Sequence, residues 1–182
     1  MDDLGRTTIS ASGEPVDEVE VGGMSRAELR AALQAHGIAL NDHADVLFAH
    51  PVFDASVRDV VRVVRRTVAE LGQTDGATLP QIFAAAQAQG LGLCPATTGP
   101  YLRLAWDSQA ASANSVMSAG RSPDGALTVA SPVLDDDVDF PKGFYLRVVD
   151  GRPWLRGYGC DDLYVFPAGA VFAFRDLPGK CR

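Results

Sequence analysis

Ser56-Val57-Arg58-Asp59-Val60-Val61-Arg62-Val63-Val64-Arg65-Arg66-Thr67-Val68-Ala69-Glu70-Leu71 is the stretch on which the fold turns. Taken as a helix, it puts Val57, Val60, Val61, Val64, Val68 and Leu71 on one face, with Ser56 to Asp59 as an acidic variant of the capping box. Taken as a strand, Val60-Val61-Arg62-Val63-Val64 supplies the β-branched density that a pleated backbone favours. The neighbouring sequence on both sides favours helix. Ser25-Arg26-Ala27-Glu28 is a capping box, followed by Leu29, Ala32 and Leu33 at helical spacing and by Gly37 as a left-handed stop. Asn41 is placed to cap a short helix that carries Val46 and Leu47 and ends before His50-Pro51. Thr78-Leu79-Pro80-Gln81 is a further box, with Ile82, Phe83 and Ala86 facing inward and Gly90 closing the helix.

Cys94-Pro95-Ala96-Thr97-Thr98-Gly99-Pro100 breaks this pattern, and beyond it the apolar period becomes two. Tyr101 to Trp106 alternates, with Leu102, Leu104 and Trp106 on one side. Val116 to Ala119 and Ala126 to Ala130 flank a polar turn. Phe144 to Val149 meets Asp150-Gly151 and returns through Trp154 to Tyr158, a strong hairpin signal. Leu163 to Phe166 and Ala170 to Phe174 are joined by Pro167-Ala168-Gly169 as a last hairpin. The predicted class is α+β, with N-terminal helices (three or four) packed on a C-terminal antiparallel, hairpin-built β-sheet. The predicted organisation is an acidic flexible tail over 1–24 with room for a short ordered piece around Val16 to Val21, a helical segment over 25–95 and an antiparallel β segment over 96–182. Residues 25–182 form one compact domain in this reading.

The chain has 182 residues, of which 47% are hydrophobic and 21% charged, ordinary values for a globular domain. No run of some 18 apolar residues predicts a membrane span, and the acidic start, followed by no apolar stretch, does not read as a secretory signal. Sixteen basic against 23 acidic residues give a net charge of -7, a field that repels phosphate backbones. Residues 1–24 hold six carboxylates against the single Arg6, so most of the imbalance sits there. Three widely spaced cysteines, Cys94, Cys160 and Cys181, read as free thiols of a cytoplasmic protein.

Motifs that carry chemistry are scarce. His36, His43 and His50 are seven residues apart, a step that does not align ligands on one helix. Asp135-Asp136-Asp137-Val138-Asp139 resembles the start of a calcium loop but has Phe140 where glycine is needed and Leu146 where a glutamate belongs. No C-x-x-C, G-x-S-x-G, phosphate loop, dinucleotide fingerprint or H-E-x-x-H is present, so no catalytic residue, metal or cofactor is assigned.

The hairpin gives the sharpest inference. A two-residue turn at Asp150-Gly151 sets the register and divides the residues between two faces. Phe144, Leu146, Val148, Pro153 and Leu155 form a core face. Tyr145, Arg147, Arg152, Trp154 and Arg156 form the other, where guanidinium groups stack on aromatic rings and keep donors for a carboxylate or phosphate. The same ladder can equally stabilise only itself, since cross-strand pairs are ordinary sheet chemistry.

Three functional readings follow from the sequence. The first is a binding or interaction module for a protein partner, of a regulatory or immunity/antitoxin-like kind, whose acidic tail faces a basic surface. The second is an enzyme or sensor that holds a small anionic ligand on the arginine–aromatic face. The third is a helix-turn-helix DNA-binding regulator that uses Arg58, Arg62, Arg65 and Arg66, a reading disfavoured by the net charge. Neither membrane nor nucleic acid is the expected partner.

Overall fold

Asp59–Thr67 is a nine-residue strand in the computed structural model, which describes residues 7–9, 15–54, 57–111 and 125–178. In chain order the elements are β1 (Thr7–Ile9), β2 (Pro15–Val21), α1 (Arg26–Ala35), β3 (Ala39–Leu40), α2 (Asp42–Phe48), a 3-10 turn (Pro51–Asp54) and β4 (Asp59–Thr67). Next come β5 (Ala77–Thr78), α3 (Leu79–Ala88), β6 (Leu91–Gly92), α4 (Thr98–Ala105) and β7 (Leu127–Val129). The chain closes with β8 (Gly143–Val149), β9 (Arg152–Tyr158), β10 (Val165–Phe166) and β11 (Val171–Asp176).

Eight strands follow one another in the order β1-β2-β4-β11-β7-β8-β9-β3, and β6 pairs beside them on β11. Most pairings are antiparallel, but β7 with β11 and β3 with β9 are parallel. A separate two-stranded sheet joins β5 to β10. This corrects the expectation of helices stacked on an antiparallel hairpin sheet. The sheet is mixed, and four of its strands come from the first 67 residues.

The reason lies in which faces are covered. Successive residues of a strand point to opposite faces. Val61 and Val63 enter one core with Leu29, Leu33, Leu47, Phe48 and Leu102, while Val64 and Val68 enter another with Ile82, Ala86, Phe172 and Phe174. The first core is roofed by α1, α2 and α4, the second by α3 and the small sheet. β4 buries Val61 and Val63 on one face and Val64 on the other, and the doublets Val60-Val61 and Val63-Val64 imitate a helical stripe. Stiff β-branched side chains then settle the segment as strand.

Two further expectations are corrected. Tyr101 to Trp106 is not a strand; residues 101–105 lie in α4, and Pro100 sits in its first turn, where a missing N–H has no helical partner. Residues 98–103 are buried all round, which removes the amphipathic period a surface helix would show. Gly99 lets α4 approach β8, since a Cβ there would stand 2.8 Å from the Phe144 Cβ. Leu163 to Phe174 is not a hairpin either: β10 pairs with β5, and β11 inserts between β4 and β7. The strand expected over Val116 to Ala119 lies outside the described residues.

Other local signals have their structural counterparts. Ser25 N–H donates to Glu28 Oε2 at 2.7 Å and Glu28 N–H to Ser25 Oγ at 3.3 Å, which starts α1. Thr78 N–H donates to Gln81 Oε1 at 2.9 Å at the start of α3. Gly37 and Gly90 take positive φ after α1 and α3. Within the acidic segment, β2 is part of the main sheet, with Val19 and Val21 only 3% and 4% exposed. Among the described residues no helix is long and apolar enough to cross a membrane.

Candidate functional site

Asp150 and Gly151 both adopt left-handed φ, 51° and 73°, as a type I′ turn requires. The register that follows pairs Val149 with Arg152, Arg147 with Trp154, Leu146 with Leu155 and Tyr145 with Arg156. Tyr145, Arg147, Arg152, Trp154 and Arg156 therefore share one face of β8 and β9. The guanidinium carbons of Arg156 and Arg152 stand 5.1 and 5.6 Å from the Trp154 ring centroid. This face is not an open surface along its length. Arg147 is fully buried and Tyr145 is 4% exposed, Trp154 and Arg156 are half-buried, and Arg152 alone is exposed. Burial raises the pKa of the Tyr145 phenol, against the opposing charges of Arg156 and Arg147 and their hydrogen bonds to it. At Tyr145 the ladder's cationic donors turn inward, toward their own neighbour.

The remaining sequence candidates are dispersed. Exposed His36 caps the end of α1, exposed His43 lies in α2, and half-buried His50 accepts the Val52 N–H at 3.1 Å. Among the described residues no group of three or more histidine, cysteine or acidic side chains is placed to hold a metal. In the acidic loop, Asp135 and Asp137 accept the N–H groups of Asp137 and Asp139 at 2.8 and 2.9 Å. Cys94 is buried and Cys160 half-buried; burial pushes their thiols up to about 12 and about 11. Cys181 lies outside the described residues.

Because 59–67 is a strand, the helix-turn-helix reading loses its first helix, and the arginines no longer share a helical face. Arg62 pairs with Asp176 at 3.2 Å on one side of β4. Arg65 pairs with Asp17 at 2.6 Å on the other and lies 4.1 Å from the Trp106 ring centroid.

A concavity lies elsewhere, as a groove of about 610 Å³ along the outer edge of β2. β1 pairs only with Pro15, Val16 and Asp17, so among the described residues nothing pairs with the edge from Glu18 to Val21. Val19 and Val21 point toward the helical core. Glu18 and Glu20 therefore project from the opposite face, half-buried and exposed respectively. On the helical side the groove is lined by Met24, Ala32, Tyr101, Leu104 and Ala105. Val60, opposite Glu20 and 50% exposed, also lines the groove, as do Arg58 and His36. An unpaired strand edge beside an apolar wall can accept main-chain hydrogen bonds and alternate side chains from an extended segment.

Sequence reasoning missed this site because it treated residues 1–24 as a tail with at most a short ordered piece over Val16 to Val21, and assigned Tyr101 to Trp106 to the sheet. The signal available was the alternation of Glu18 and Glu20 with Val19 and Val21, a half-buried strand of period two. No family model matches the chain, and neither a curated protein nor a solved structure is found to be similar to it.

Proposed function

We propose that this chain is a protein-interaction module that accepts an extended segment of a partner as an added strand on β2. The observation that carries this reading is the groove of about 610 Å³ running beside an edge that, among the described residues, β1 pairs with no further than Asp17. Strand addition takes its affinity from backbone hydrogen bonds and its selectivity from alternate side-chain pockets, and this site offers both elements. The arginine–aromatic ladder supports an anion-binding reading less well, because Arg147 and Tyr145 are buried in the sheet and engaged with each other.

The test is a fluorescence-anisotropy titration of the full chain with an extended Thr-Val-Thr-Val-Thr-Val peptide and its counterpart N-methylated at alternate amides. Binding of the first and loss of binding by the second are expected, together with slower hydrogen exchange at residues 18–21. Equal binding by both peptides overturns strand addition.

A further inference from the structure

Resting on that reading, we infer that the partner segment alternates basic with apolar residues, the basic ones facing Glu18 and Glu20. The two sides of the groove differ in chemistry. On one side the carboxylates of Glu18 and Glu20 project two residues apart, and among the described residues neither is paired with a cation. Arg62, opposite Glu18 across the strand pair, is held by Asp176. On the other side Tyr101, Leu104 and Ala105 of α4 and Met24 form a wall without charge.

An added strand directs successive side chains to opposite faces at about 3.3 Å per residue. Each second residue therefore meets a carboxylate, and the residues between meet the apolar wall. Lysine or arginine suits the first set, and valine, isoleucine or alanine the second. The net charge of -7 favours encounter with such a segment. Arg58 lies beside Gly23, whose Cβ would come within 2.6 Å of the Arg58 Nε, so the basic pattern ends at that margin.

The experiment compares four peptides on the full chain by anisotropy: Lys-Val-Lys-Val-Lys-Val, Thr-Val-Thr-Val-Thr-Val, Glu-Val-Glu-Val-Glu-Val and the block sequence Lys-Lys-Lys-Val-Val-Val. The alternating lysine peptide is expected to bind at least tenfold tighter than the threonine and block peptides, and the glutamate peptide not at all. In the Glu18→Gln/Glu20→Gln variant the lysine preference is expected to fall below threefold, with an unchanged melting temperature. If the threonine peptide binds as well as the lysine one, strand addition stands and the basic alternation is overturned. If the block peptide binds as well as the alternating one, attraction without register is the cause, and the inference fails. If no peptide binds and residues 18–21 are already protected from exchange in the free chain, the chain itself covers the edge. Both readings then fall.

Discussion

Asn41 and Gly157 exchange two hydrogen bonds: the Asn41 Nδ2 donates to the Gly157 carbonyl at 3.0 Å, and the Gly157 N–H donates to Asn41 Oδ1 at 2.8 Å. The same Oδ1 accepts the Ala44 N–H at 3.0 Å as the cap of α2. One amide thus starts a helix and ties it to β9. Glycine is needed on the strand side, since a Cβ at 157 would lie 2.6 Å from the His43 carbonyl carbon and 2.8 Å from the Ala44 nitrogen.

Asn41→Ala is expected to cost about 2–3 kcal/mol, the sum of a lost cap and of bonds left unmade at part-buried groups. Asn41→Asp keeps both accepted bonds and loses the donated one, so its cost is expected near 1 kcal/mol. Denaturant titration of the two variants checks the order. Equal stabilities would remove the link to β9.

Leu146→Ala is expected to lose about 2–5 kcal/mol by opening a cavity in the helical-side core. Arg147→Ala is expected to lose roughly 2–4 kcal/mol as well, because its side chain is fully buried and packs through its stem. Had that face been solvated, the change would lie within about 0.5 kcal/mol. A neutral Arg147→Ala in urea titration contradicts the burial of this face.

Removal of residues 1–22 takes β2 away and uncovers one edge of β4. The product is expected to aggregate or to lose cooperative melting. Val19→Ala alone is expected to cost roughly 1.5–3 kcal/mol from lost burial and cavity formation. Circular dichroism melts of both variants decide whether the acidic segment belongs to the folded body. A truncated chain that melts like the parent would show that it does not.

Alkaline pH should unfold the protein earlier than it would a chain with ordinary thiols and phenols. Burial raises Cys94 from 9.0 to about 12 and Cys160 to about 11, and raises Tyr145 and Tyr158 as well. A pKa raised on folding adds stability that is complete below the unfolded value and is lost as pH climbs toward the folded one. Burial lowers Arg103 from 12.5 to about 10, which works in the opposite direction above pH 10, but four groups oppose one. The melting temperature is expected to hold to about pH 8.5 and to fall from about pH 9 upward, as a pH series of melts would show. A flat profile to pH 11 contradicts it.

Legibility in the sequence followed the distance over which each element is determined. The Asp150-Gly151 hairpin was readable because two residues fix its turn and hence its register. The capping boxes of α1 and α3 and the Asn41 cap were readable for the same reason. The Val60-Val61-Arg62-Val63-Val64 run misled because its two neighbours in the sheet, β2 and β11, are 40 or more and about 110 residues away. Nothing local announces that both faces will be covered. Tyr101 to Ala105 misled in the converse way, as a helix so buried that its polar face disappears. Of the groove, only the Glu18-Val19-Glu20-Val21 alternation was visible. Its apolar wall arrives from α4 through tertiary packing.

The position of β11 has a consequence for how the protein is made. The last strand lies at the middle of the sheet, between β4 and β7. Until it leaves the ribosome, the nascent chain can assemble only β1-β2-β4 on one side and β7-β8-β9-β3 on the other. Each half then offers a bare inner edge of the kind that pairs with foreign strands. Vectorial folding, domain part by domain part, is closed to this topology. A translation product that stops before residue 171 is a pair of unfinished sheets, a substrate for chaperones and proteases.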